Sequence, residues 1–335
     1  MKRVFIKAVM ATLALCVWGA AAAQDVKERT FKVGLQNPKG HPAVMGAERF
    51  AEIVAAKSGG KLKVSVFPGG VLGSDAQTVS AVQAGTVEMT VLNSGILASQ
   101  VKEFAIYDFP FLFANAKEAD AVVDGPFGKN LHAKLGEKGI VGLAYWELGF
   151  RNLTNSRRPI NKVEDIAGLK LRVIPNPINI DWVKALDANP TPLAFPELFA
   201  ALDQKAVDGQ ENPVSVILAN KFAEVQKYLT LTNHQYNPQS VIISKKVWDT
   251  LSAAEKQILQ DAAIEAGKYQ RQVSREQAAS MLEELKKAGM QVSELPPAEQ
   301  AKLREKMKPV IDKYAGSVGE GTVKDLMAEL NRVRK

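Results

Sequence analysis

Cysteine is almost missing from this 335-residue chain: its one example, Cys16, sits inside an apolar N-terminal run. Beyond that run there is no thiol, which excludes disulfides, cysteine-based metal sites and thiol nucleophiles. Histidine is nearly as scarce. His41, His132 and His234 lie far apart, and none stands at zinc-ligand spacing. No Gly-x-Ser-x-Gly elbow and no Walker-type phosphate loop occurs. Gly316, Gly319 and Gly321 follow helical sequence, so they do not form a phosphate cradle after a strand. Charge of one sign is also thin. The formal net charge is +7, with acids and bases interleaved, and no segment combines basic density with aromatics as nucleic-acid binding requires. No catalytic motif is left, and neither a metal nor a cofactor is expected.

The N-terminus has the layout of a secretory leader. Lys2, Arg3 and Lys7 form a basic start, Ala8 to Gly19 is apolar, and Ala20 to Ala23 offers small residues for cleavage before Gln24. The apolar run is too short for a permanent membrane span. Leu15 stands directly before Cys16, where a lipoprotein would need a small residue. Residues 1–23 are therefore expected to be a signal peptide, and the remainder a periplasmic protein. Removing the leader takes three positive charges with it, so the mature chain is only mildly basic.

Strand and helix patterns alternate along the mature chain. Phe31 to Leu35, Leu62 to Phe67 and Val87 to Leu92 read as strands, with helices over 43–56 and from Ser74 or Asp75 to Ala84, stopping at Gly85. After an irregular aromatic stretch, Phe104 to Phe113, the pattern restarts. Ile140 to Trp146, Leu169 to Val173 and Val241 to Ile243 read as strands. Asn179 to Leu186 and Pro196 to Gln204 read as helices, and Pro190-Thr191-Pro192 as a rigid connection. The tail is helical over 253–288 and near 299–314. The spacing predicts an α/β fold of two lobes with an interlobe cleft and a helical C-terminal tail. There is no short repeat, low-complexity tract or flexible linker, so the lobes are expected to be joined by crossing strands.

Arg172 stands out within the apolar strand Leu169 to Val173. Its planar fork matches a carboxylate through two parallel hydrogen bonds. A ligand carboxylate and an internal acid are both open as its partner. Arg151 is equally ambiguous between a second clamp and an internal pair. Asp208 to Pro213 reads as a polar turn, in which Asn212 either bonds the backbone or meets a ligand. Phe195 and Trp146 could stack on a ligand, although a core role is the ordinary one for either.

The stretches GLKLRVIPNP and PTPLAFPELFAALDQKAVDGQENP closely resemble the substrate-binding subunits of tripartite ATP-independent periplasmic (TRAP) transporters, the DctP-like family. HPAVMGAERFAE, FPGGVLGSDAQTV, FPFLF and EVQKYLTLTNH extend the likeness over nearly the whole mature chain. The resemblance implies two α/β lobes, residues 24–148 plus about 238–277 and 149–237 plus about 278–335, closing over a small organic acid. It implies that Arg172 holds the ligand carboxylate, with Asn212 and Arg151 in support. Gln36, Asp75, Asn93 and Phe195 match cleft-lining positions; His41, Asn176 and Gln239 lie in segments facing that cleft. Sialic-acid binders carry a glutamate and, three residues on, an arginine where this chain has Asn93 and Ile96, which argues against sialic acid. WELGFRNLTN looks like members that take uronic acids such as glucuronate or galacturonate, with Glu147 as a further acceptor. A four-carbon dicarboxylate held by Arg172 and Arg151 is the rival ligand, and a secreted hydrolase or lyase the rival class. The implied partners are the two TRAP membrane subunits. No large exposed apolar face is apparent, so a monomer is expected.

Overall fold

Two antiparallel strands, far longer than the hydrophobic pattern predicts, organise the computed structural model, which describes residues 26–334. They are β4 (Ile140–Asn155) and β8 (Tyr228–Ser244). Around them lie β1 (Arg29–Gly34), β2 (Leu62–Phe67), β3 (Met89–Asn93), β5 (Lys170–Val173), β6 (Asn189–Pro192), β7 (Gly209–Asn212) and β9 (Gln291–Glu294). The sheet order among the described residues is β2-β1-β3-β8-β4-β7-β5-β6, with β9 also against β8. At one end β8 pairs with β3, from Met89–Ile243 to Asn93–Gln239. At the other end β4 pairs with β7, from Asn152–Asn212 to Asn155–Gly209. The crossing strands are thus shared by two parallel half-sheets, β2-β1-β3 and β7-β5-β6. The expected leader lies outside the described residues.

The β4–β8 ladder breaks where the two halves meet. The middle one of its three register shifts falls between Glu147 and Gly149, opposite Pro238 and Asn237. Pro238 has no N–H to give, so a ladder bond is lost there in any register. Gln270 compensates: its Oε1 accepts from the Glu147 amide at 2.9 Å and its Nε2 donates to the Glu147 carbonyl at 2.7 Å. One side chain on the long helix Ala253–Lys287 therefore satisfies the backbone that the bulge frees. The same helix meets the helix Pro42–Lys57 closely. A Cβ on Gly46 would come within 2.7 Å of Gln270 Cγ and 3.2 Å of Trp146, so only glycine fits.

Local chemistry fixes the helix ends. Ser74 and Gln77 form a capping box before the helix Asp75–Ala84, and Gly85 ends it in the left-handed region. Ser252 and Glu255 repeat that box before the long helix. One apolar core packs under β1–β3 around Phe31, Phe50, Met89 and Trp146. Trp146 is a core residue, its Nε1 donating to the Ala263 carbonyl at 3.0 Å. A second core lies around Leu198, Phe222 and Leu229. A third runs through Phe104, Tyr107, Trp182 and Leu303 to Leu330.

Several expectations are corrected. Pro190-Thr191-Pro192 belongs to β6, which among the described residues pairs with β5 alone, and proline is tolerated on such an edge. The polar turn expected at Asp208 to Pro213 contains β7, whose four residues are all buried. The C-terminal helix Glu320–Val333 was not anticipated. No described helix is long and apolar enough to cross a membrane.

Candidate functional site

The parallel strands deliver their last residues to one cavity of about 120 Å³. Gln36 follows β1, Asp75 opens the helix after β2, Asn93 ends β3, and Gln239 sits opposite it on β8. Arg172 on β5, Phe195 after β6 and Asn212 at the end of β7 face them from the other half-sheet. This is the carboxyl-end placement expected for ligands of open α/β sheets.

Arg172 is buried, and no acidic side chain forms a salt bridge with it among the described residues. Its Nε and Nη2 donate to the Leu193 carbonyl at 3.0 and 2.8 Å, and its Cζ lies 5.8 Å from the Phe195 ring centre. Burial pulls the guanidinium down to about 10, opposed chiefly by Glu211, so it remains charged at neutral pH. Asn212 gives one Nδ2 proton to Gln210 Oε1 at 2.6 Å, leaving the other available.

Acceptors cluster opposite the cation. Gln36 Oε1, Asp75 Oδ1, Asn93 Oδ1 and Gln239 Oε1 are buried, line the cavity and have no hydrogen-bond partner among the described residues. Such atoms are rare in folded proteins because each forfeits its hydration. Gln36 is oriented by its own amide, which donates to the Gly73 carbonyl at 2.9 Å. Gly70 makes room for it: a Cβ there would lie 2.9 Å from Gln36 Oε1, and its φ of +71° suits glycine. Burial pushes the Asp75 carboxyl up to about 7, opposed chiefly by the charge of Arg172.

Four expected residues lie off the cavity lining. Arg151 is fully buried and paired with Glu211 through Nε and, at 2.8 Å, through Nη2; Nη1 donates to Asn237 Oδ1 at 2.8 Å. In this structure it forms an internal pair and is not among the residues that line the cavity. Burial would raise the Glu211 carboxyl, but Arg151 and His234 hold it down at about 2. Glu147 accepts from Arg275 Nη2 at 2.6 Å and from Tyr236 Oη at 3.0 Å, so it ties β4 to the long helix. His41 caps the Pro42–Lys57 helix through Nδ1, and its Nε2 lies 3.2 Å from Ser215 Oγ. Asn176 caps the helix Pro177–Ala185 and donates to Asp108 Oδ2 at 2.6 Å.

The sequence reading also missed parts of the site. Asn37, Leu148, Ile174 and Pro175 line the cavity. Asp108, from the irregular aromatic stretch, is not among the lining residues but takes hydrogen bonds from Asn176 and, at 2.8 Å, from Gln235. A lone acid among aromatics, in YDFPF, was the available signal.

The family model for bacterial extracellular solute-binding proteins, family 7 (DctP), matches residues 33–317. The chain belongs to the DctP family. A TRAP periplasmic solute-binding protein from Ochrobactrum anthropi, solved with its C-terminus bound in the ligand-binding pocket, is 57% identical. The match covers 92% of this chain and 97% of that one, with a TM-score of 0.83. The sugar-acid-binding protein DctPAm from Advenella mimigardefordensis strain DPN7T, in complex with galactonate, is 43% identical over 92% of this chain and 100% of that one, at a TM-score of 0.90. A C4-dicarboxylate-binding periplasmic protein from Rhodobacter capsulatus is 34% identical over 95% of this chain and 94% of its own length. This DctP-family member is therefore a TRAP-type periplasmic solute-binding protein for an organic acid, not an enzyme, and has the two-lobed fold of its relatives.

Proposed function

We propose that this protein captures a sugar acid, of the aldonate or uronate class, and presents it to TRAP membrane subunits. The observation that carries this reading is the pairing, in one cavity, of an Arg172 guanidinium in no salt bridge with four buried acceptors, none of them partnered among the described residues. A carboxylate loses hydration on entry, which costs several kcal/mol unless charged donors replace the water. Arg172 supplies those donors, with Asn212 beside it. The acceptors then need hydroxyl protons, and each left unmet costs about 1–3 kcal/mol. A polyhydroxylated acid meets both demands. The galactonate held by the Advenella protein is such a molecule.

Closure follows from the same arrangement. The lobes are residues 24–148 plus about 238–277 and 149–237 plus about 278–335, hinged at the ladder break by Glu147, Gly149 and Pro238. Because the ligand touches both lobes, binding shifts an open–closed equilibrium toward the closed form, which the membrane subunits read. The protein works as a monomer in the periplasm.

The dicarboxylate alternative loses its second clamp, since Arg151 is occupied by Glu211 and Asn237. Calorimetry of the mature protein against galactonate, glucuronate, galacturonate, succinate and malate tests the reading. Sugar acids should bind with one site per chain and be recovered intact; tighter binding of succinate or malate would overturn it.

A further inference from the structure

The cavity wall carries two charged side chains, Arg172 and Asp75, of opposite sign and on opposite half-sheets. Every other lining group is neutral. A ligand with one carboxylate can place it on Arg172 and turn neutral hydroxyls toward Asp75. A ligand with a carboxylate at each end cannot. Its second charge would meet the acceptors of Asp75, Gln36, Asn93 and Gln239, with no second cation to receive it. Arg151, buried and not among the lining residues, is already neutralised by Glu211.

We propose that Asp75 is a specificity residue that rejects acids charged at both ends, so that the site admits monocarboxylic sugar acids and excludes the corresponding dicarboxylic ones. This rests on the sugar-acid reading above and extends it. The geometry gives Asp75 little else to do. Its Oδ1 is buried without a partner among the described residues, whereas the helix it opens is capped by Ser74 and Gln77. An unmet buried acceptor that takes no part in capping or core packing is retained at a cost, and that cost has a purpose if the atom acts on the ligand. Selection by repulsion is the cheaper route here, because a neutral acceptor would serve the hydroxyls equally well but would not deter a second anion.

The test compares two acids of one carbon skeleton, galactonate with one terminal carboxylate and galactarate with two, by calorimetry at pH 8. Native protein should prefer galactonate by tenfold or more. Asp75→Asn, which keeps shape and one acceptor oxygen while removing the charge, should shrink that preference at least fivefold, mainly by admitting galactarate. Asp75→Ser serves as a second variant if the first does not fold. A purely structural role for Asp75 would weaken both acids alike and leave their ratio unchanged. That outcome, or a native protein that binds galactarate as well as galactonate, overturns the proposal while leaving the sugar-acid reading intact. A native protein that binds neither these acids nor any other sugar acid overturns both.

Discussion

Arg172 spends two of its N–H groups on one backbone oxygen, that of Leu193, at 3.0 and 2.8 Å. Leu193 is itself tied back, its amide donating to the Val173 carbonyl at 3.3 Å. The guanidinium is therefore held rigid by the chain that crosses over β5. A guanidinium carries five N–H donors, so the far end of the fork is where the proposed carboxylate would dock. Lysine cannot reproduce this, because one ammonium cannot hold Leu193 and grip a carboxylate in a plane. Arg172→Lys should weaken binding of the native acid by about 100-fold, and Arg172→Ala by at least as much, given ~2–5 kcal/mol for truncating a buried charged partner. Calorimetry on variants with native circular dichroism checks this.

Arg151 should behave in the opposite way. Its removal strands Glu211 in the interior, and breaking a buried pair from one side costs about 3–5 kcal/mol. Arg151→Ala should therefore lower unfolding stability by several kcal/mol in urea, and by more than Arg172→Ala does. Equal destabilisation of the two variants would contradict the division between an internal pair and a ligand clamp.

Glu147 is anchored to Arg275 and Tyr236, away from the cavity. Glu147→Gln should cost about 1–3 kcal/mol of stability and leave ligand affinity within threefold of the native value. A large affinity loss with unchanged stability would return Glu147 to the ligand.

Buried ionisable groups give the unfolding free energy a particular pH dependence. His41 and His132 are pulled down to about 3 by burial. Their neutral forms favour the fold above 6.5, and that contribution is lost as pH falls toward 3, by up to ~1.4 kcal/mol per pH unit each. Asp75 and Asp108 are pushed up to about 7 by burial. Their contribution has the opposite sign: full below the unfolded carboxylate value, it is lost as pH rises to 7. Between about pH 4 and 6.5 the two effects offset, so native stability should vary little there. Asp75→Asn breaks the balance. It should match native stability near pH 4 and exceed it from pH 7 upward, by on the order of 4 kcal/mol at most, less whatever solvent screening reaches this partly exposed residue. Urea titrations of the ligand-free proteins from pH 4 to 8 measure the difference, and a gap that narrows with rising pH would contradict the assignment.

Much of this was legible in the sequence because it was local. The capping box at Ser74, the stop at Gly85 and the apolar alternation of β2 need only neighbouring residues. Long-range pairing was not legible. The first half of β8 reads YLTLTNHQYNP, too polar for a buried strand, yet Thr230, Thr232, His234 and Gln235 are all buried. They are tolerated because partners from distant segments satisfy them, as Ser293 does Thr230 and Asp108 does Gln235. The cavity followed the same division. Arg172 announced itself as a charge in an apolar strand. Arg151 and Glu147 looked equally suited to a ligand, and only Glu211 and Arg275, supplied from far along the chain, show that both are already engaged.

A crystal structure of the mature protein with galactonate bears most directly on the site. The galactonate carboxylate should lie about 2.8 Å from the free end of the Arg172 fork, with hydroxyls on Gln36, Asp75, Asn93 and Gln239. A ligand whose carboxylate points to the Asp75 side, or a closed form in which an internal acid has taken the Arg172 fork, would contradict it.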